Sequence, residues 1–208
     1  YFGIQFYEYS ALTLEQVCNQ RGLKVDQVIR EMETPSYLRE AELPLVSYPI
    51  DLIIEYLKHS HFLFIKHKLP YIARLVESFK ANHSDYQSIE RDLKIVFPLF
   101  AGDFIEHIYE EEDTLFTYIQ ALERAAKGNY SPSRLYYLLE NNSVQKFAMG
   151  HDAHDDEMLG IRNITKDYFL DDPSPLHIKV LYNELKGFER SLTTHARIEN
   201  DILFPKAM

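Results

Sequence analysis

His107-Ile108-Tyr109-Glu110-Glu111-Glu112-Asp113-Thr114-Leu115-Phe116 is the stretch on which the reading of this chain turns. A second copy, His195-Ala196-Arg197-Ile198-Glu199-Asn200-Asp201-Ile202-Leu203-Phe204, lies near the C-terminus. Both follow the pattern H-x-x-x-E-[EN]-D-x-L-F. Residues four apart on an α-helix share a side, one turn along. Each copy therefore presents an imidazole and a carboxylate together, followed by a Leu-Phe pair that closes the apolar end. Imidazoles and carboxylates projecting inward from facing helices are how a helical bundle holds a pair of iron or manganese ions. A single H-x-x-x-E is common on exposed helix faces, where it is only a weakly stabilising ion pair. Two extended copies in an acidic helical chain point instead to a site.

The totals narrow the choice. A chain of 208 residues, 46% hydrophobic, suits one substantial core with a small appendage. A net charge of −10 argues against a nucleic-acid or anionic-membrane surface, which needs a clustered positive face. No apolar run is long enough for a membrane span, and the opening Tyr1-Phe2-Gly3 stretch carries no signal-peptide pattern. Cys18 is the only cysteine, which excludes a disulfide within the chain and suits a cytosolic, reducing compartment.

Residues 1–45 read as a small helical N-terminal appendage. Thr13 caps a short helix, Gln16 completes a capping box, and Gly22 stops it. Lys24 to Met32 forms a second short helix with Val25, Val28 and Ile29 on one face. Residues 46–208 read as four long helices. The first runs from about Pro49 to Phe79, with a kink at Pro70, and Asn82-His83-Ser84-Asp85 makes the turn after it. The second reaches about Lys127, bends near Pro98, and ends at Gly128-Asn129. Ser131-Pro132 starts a third helix to about Phe169, and the fourth runs from Asp171-Asp172-Pro173-Ser174-Pro175 to about Phe204. Long helices joined by short turns make antiparallel neighbours. The expected fold is all-α, an up-down-up-down four-helix bundle.

Level-matching tests whether such a bundle brings ligands together, because two residues of an antiparallel pair sit level when the turn lies midway between them. His107 and His151 are centred on Asn129, His151 and His195 on Pro173, and His61 and His107 on Ser84. All three positions are turns. Four imidazoles, one per helix, thus fall in one layer. Glu111 and Glu199 share a second layer one turn further along. The metal ligands expected are His61, His107, Glu111, His151, His195 and Glu199. His59, about 160° round the helix from His61, and His67 compete with His61, and His154 competes with His151. Glu110 and Asp113 are expected in solvent, as are His83 and His177. Phe97, Phe100, Phe104 and Phe116 are expected in the core. Tyr109 and Tyr56 are candidates to stand near the site, and Cys18 reads as a half-buried packing residue.

These motifs resemble the repair-of-iron-centres family of hemerythrin-like di-iron proteins (the ScdA/YtfE group). The family's second-helix pattern H-x-x-x-E-E-x-x-L-F-P is similar to His107–Thr117, with Thr117 in place of proline. The fourth-helix pattern H-x-x-x-E-N-x-x-L-F-P is matched by His195, Glu199, Asn200, Leu203, Phe204 and Pro205. His151-Asp152 with Ile161-Arg162 and Thr165 resembles the third-helix pattern and favours His151. His61 precedes Leu69-Pro70 with one residue more than the usual spacing. Phe2-Gly3-Ile4-Gln5-Phe6, Thr13–Cys18 and Arg21-Gly22-Leu23 are similar to the end of the ScdA-type N-terminal domain, although Tyr7-Glu8-Tyr9-Ser10 stands where relatives carry Cys-Cys-Gly-Gly.

The resemblance implies a hemerythrin-like bundle over 46–208 holding two iron ions, carboxylate-bridged and joined by an oxo or hydroxo bridge. It implies a cytoplasmic protein that helps restore iron–sulfur clusters damaged by oxidative or nitrosative stress, by iron donation or nitric oxide chemistry. Damaged iron–sulfur proteins would be its clients, and O2 and NO its small ligands; dimerisation is left open. A different class, a hemerythrin-like module that binds or senses oxygen or nitric oxide without repair activity, uses the same ligands. A metal-free bundle acting only through partner contacts is the third reading.

Overall fold

The computed structural model describes residues 12–33, 45–81, 84–141, 143, 144, 147, 157–171 and 174–208, and among these every regular element is helical. Two short helices, α1 (Leu14–Arg21) and α2 (Val25–Glu33), come first. Thr13 Oγ1 accepts the Gln16 N–H at 3.2 Å and Gln16 Oε1 accepts the Thr13 N–H at 2.9 Å, the reciprocal capping box read from the sequence. Gly22, at φ 66°, ends α1 in the left-handed conformation that glycine adopts without penalty. Cys18 is fully buried rather than half-buried.

Three continuous helical runs follow, each broken once by a widened π turn. The first is α3 (Ile50–Leu63), the π turn Phe64–Lys68, and α4 (Leu69–Ser78). The second is α5 (Ser84–Glu110), the π turn Glu111–Phe116, and α6 (Thr117–Ala126). Between the second and third runs lie α7 (Pro132–Asn141) and α8 (Leu159–Thr165). The third run is α9 (Leu176–Ile198), the π turn Glu199–Leu203, and α10 (Phe204–Ala207). Gly128, at φ 75°, closes the second run, with Gly128 N–H donating to Ala125 O and Asn129 N–H to Arg124 O. α5 passes through Pro98 as one helix.

Two of the π turns lie against a proline. A proline in a helix has no N–H and its ring clashes with the carbonyl four residues back. Pro70 and Pro205 each come one residue after the end of a π turn, and the residue between, Leu69 or Phe204, donates five residues back, to Phe64 O or Glu199 O. Thr117 occupies the equivalent place in the sequence motif, immediately after the middle turn. Its hydroxyl donates to Glu112 O, also five residues back, at 3.2 Å. Widening has a packing consequence too. In an α-helix the fifth residue past a given one is rotated about 140° from it. A turn that uses an extra residue brings the fourth and fifth residues to straddle the original direction. Glu111, Leu115 and Phe116 are accordingly all buried, as are Glu199, Leu203 and Phe204.

The segment expected as one third helix departs from expectation at its C-terminal end. α8 stops at Thr165, four residues short of Phe169, because Lys166, Asp167 and Tyr168 all turn left-handed (φ 52°, 57° and 57°). That conformation is unfavourable for residues with a Cβ. It delivers the Tyr168 ring into the core, with its hydroxyl donating to Glu189 Oε2 at 2.8 Å. His177 is also a correction. It is half-buried, not solvated, with Nε2 2.9 Å from Leu75 O and its ring against Phe79, and burial pushes its pKa down. His83 lies outside the described residues.

Apolar side chains collect in two clusters. One contains Phe64, Leu69, Ile72, Leu93, Phe97, Phe104, Ile108, Leu181 and Phe188, with Phe100 partly buried against it. The other contains Ile53, Ile54, Leu57, Leu115, Phe116, Ile119, Ile198, Leu203 and Phe204. Along every run the change from one cluster to the other falls at the same place: between Leu57 and Phe64, between Ile108 and Leu115, and between Phe188 and Ile198. No helix among the described residues is long and apolar enough to cross a membrane.

Candidate metal centre

The layer between the two clusters is polar. His61, Glu111, His195 and Glu199 are buried there, and each turns one ligand atom inward so that all four lie within 4.8 Å of one another. His61 Nε2 stands 2.9 Å from His195 Nε2 and 3.4 Å from Glu111 Oε2. Glu199 Oε1 is 3.3 Å from His195 Nε2. His107, at the edge of the layer, places Nε2 3.1 Å from Glu111 Oε1. Glu111 thus offers one oxygen toward His107 and the other toward His61.

Aromatic rings fix the imidazoles in orientation. Phe116 stacks on His61 with ring centroids 5.6 Å apart and planes 9° from parallel. Phe64 meets His195 edge-on at 5.7 Å. The Leu-Phe pair after each glutamate closes the layer from the second cluster, and Phe64, Phe104 and Phe188 close it from the first.

Two carboxylates held in an apolar interior are costly unless cationic groups offset them. The effect is visible in His107. Its hydrogen bond to Glu111 outweighs burial and, with the nearby charges of Glu111, Glu157 and Glu199, pushes its pKa up to about 9. A layer that holds a proton so firmly is one that favours a cation. Imidazole nitrogen with carboxylate oxygen is a donor set for iron, manganese or zinc. The donors fit a metal. A cavity of about 290 Å³ reaches the layer from one side, between Phe104 and Ile108 of α5 and Leu192 and Ala196 of α9, with Arg162 and Glu189 at its wall.

Of the six ligands expected from the sequence, the structure brings together His61, Glu111, His195 and Glu199 and sets His107 beside Glu111. His151 and its competitor His154 lie outside the described residues. His59 and His67 are exposed. Glu110 and Asp113 face solvent. Tyr109 is 54% exposed, so it does not reach the layer, and Tyr56 packs on the second cluster. Two residues at the centre were not anticipated. Glu157 lines the cavity with Oε1 4.0 Å from His107 Nε2. Glu112 places Oε1 2.9 Å from His61 Nδ1. Neither carries a sequence signal that separates it from the surrounding acids.

No family model matches the chain. It is similar to relatives named iron–sulfur cluster repair protein YtfE. The one from Yersinia pseudotuberculosis is 19% identical over 196 residues, covering 94% of this chain and 83% of the relative. The one from Yersinia pestis aligns over the same shares at the same identity. The likeness is distant, but it spans nearly the whole chain.

Proposed function

We propose that this protein is a non-haem di-iron protein that takes part in repairing iron–sulfur clusters damaged by oxidative or nitrosative stress. The observation that carries the reading is the buried layer of imidazoles and carboxylates contributed by three helical runs and walled by apolar clusters above and below. A likeness to named cluster-repair proteins over most of both chains supports it. His61, His107, His195, Glu111 and Glu199 would hold the metal pair, with His151 completing the set and the two glutamates bridging. Bound iron would supply exchangeable metal and redox chemistry, since no thiolate is among the donors. The order of the clusters supports an up-down bundle. The first run passes from the second cluster to the first (Leu57 to Phe64), whereas the second and third runs pass the other way (Ile108 to Leu115, Phe188 to Ile198). A single cysteine supports a cytoplasmic setting.

The test is direct. Purified protein is loaded anaerobically with Fe(II), its metal content is measured, and it is offered to an iron–sulfur enzyme whose cluster has been destroyed. Two irons per chain and reactivation above that given by equal free iron are expected. Metal content near zero, or reactivation no better than free iron, would overturn the proposal. The cavity that reaches the layer favours a second reading, a module that binds oxygen or nitric oxide without repair activity. Reversible gas binding without reactivation of the client would select it.

A further inference from the structure

We infer that Glu112 is a positioning residue for His61, holding the imidazole so that its Nε2 is bare and aimed at the metal. This inference rests on the proposed metal centre. A carboxylate oxygen accepts, so at 2.9 Å from Glu112 Oε1 the proton belongs to His61 Nδ1. A neutral imidazole with its proton on Nδ1 has a lone pair at Nε2, the atom that faces His195 and Glu111. The ring's two nitrogens are therefore divided, one serving the layer and one tethered outside it.

Neighbouring groups leave little other freedom. His61 is 1% exposed. Phe116 stacks on the ring face, and the His195 ring stands 4.6 Å from it at 42°. Packing sets the plane of the ring but does not distinguish the ring from its 180° flip, which exchanges nitrogen for carbon. Nor does packing choose the tautomer. The hydrogen bond to Glu112 does both. Glu112 can reach because adjacent residues on a helix point in different directions, which sends Glu111 into the layer and Glu112 toward α3. The Thr117 hydroxyl, on Glu112 O, ties down the backbone at this point. An ordinary surface ion pair has two mobile, solvated partners and is worth little. Here one partner is fully enclosed and the Glu112 side chain is itself 30% exposed. A carboxylate on the far nitrogen of a metal-bound histidine orients the ring and raises its basicity, and losing such a partner weakens metal binding about 10–100-fold.

The experiment uses the full chain as wild type, Glu112→Ala and Glu112→Gln, with unchanged helicity as the folding check. Fe(II) affinity is measured anaerobically against a chromophoric chelator, and the His61 tautomer in metal-free protein by ¹⁵N–¹H correlation at a pH where the ring is neutral. The expected result is a loss of about 10–100-fold in affinity for Glu112→Ala, with a move of the His61 proton to Nε2. Glu112→Gln, whose amide oxygen still accepts, should keep the Nδ1–H form and recover most of the affinity. Wild-type affinity in Glu112→Ala, or a tautomer that ignores all three side chains, would overturn the role while leaving the metal centre standing. Failure of the wild type itself to take up iron would remove the centre and the role with it.

Discussion

Removing the metal should lower the melting temperature, and Glu199→Gln should abolish most of the difference. Glu199 is fully buried, and its carboxylate is within 4.8 Å of the ligand atoms of His61, Glu111 and His195. A ligand that binds only the folded state adds about 2.7 kcal/mol when its free concentration is 100 times Kd. For a chain of this length each kcal/mol moves Tm by about 2–4 °C. Wild type should therefore melt about 5–11 °C higher with metal than after chelation. Losing a direct donor costs at least the roughly 100-fold that loss of a supporting hydrogen bond can cost. At the same metal concentration the variant then sits near its own Kd, where the gain is roughly 0.4 kcal/mol, or about 1–2 °C. Differential scanning calorimetry with and without Fe(II), repeated with redox-inert Zn(II), reads both shifts. A wild-type Tm indifferent to metal would refute the reasoning. So would a Glu199→Gln shift as large as that of the wild type, since the stabilising metal would then be bound elsewhere.

Three further outcomes follow from particular contacts. In metal-free protein the His107–Glu111 pair should make stability fall as pH rises. Its folded pKa is raised to about 9 by the Glu111 hydrogen bond, so its contribution is complete below the ordinary histidine value of about 6.5 and is lost through about pH 9. Urea titrations of chelated wild type and His107→Gln from pH 6 to 10 should converge at the alkaline end. Glu90 accepts from Lys94 Nζ at 2.6 Å and from the Ala81 N–H at 2.7 Å, and both lower its pKa. Glu90→Ala should cost about 1–2 kcal/mol, and the wild-type advantage should vanish as pH falls through that depressed pKa, below the usual carboxylate range. Thr117→Pro should cost well under the roughly 3 kcal/mol of a proline in a helix interior, whereas Gln120→Pro in α6 should cost all of it. Equal losses in urea unfolding would mean that the π turn does not accommodate proline.

What the sequence displays most plainly is what depends on local chemistry. Thr13, Gln16 and Gly22 bracket α1 because capping is decided within four or five residues, and Gly128-Asn129 ends the second run for the same reason. The common height of His61, His107 and His195 was legible as well. It needs only the positions of the turns and a fixed rise per residue, and it survives small errors in helix ends. What stayed hidden depends on nonlocal partners or on departures from ideal geometry. His177 is drawn inward by the carbonyl of Leu75, a residue 102 positions away. The left-handed run Lys166–Tyr168 carries no glycine to announce it and is sustained by burial of the Tyr168 ring and its bond to Glu189. Glu112 looks like any other acid in Glu110-Glu111-Glu112-Asp113 until its contact with His61, 51 positions away, singles it out.

A π turn also lies in the one place where the motif spacing looked irregular. Between His61 and Pro70 the chain has one residue more than the usual spacing, and the π turn Phe64–Lys68 lies in that interval. A bulge absorbs one residue without rotating everything beyond it, so Phe64 and Leu69 both reach the first cluster while His61 keeps its place in the layer. The same device recurs after Glu111 and after Glu199. In all three runs the irregularity sits beside the polar layer rather than at random along the helix, which is the distribution expected if widening the turn is what lets an apolar wall close immediately behind a charged ligand. A regular α-helix at Glu111 would turn Phe116 about 140° away from that glutamate's direction. That would take its ring off the face of His61 and open the layer to the solvent from which its carboxylates are now shielded.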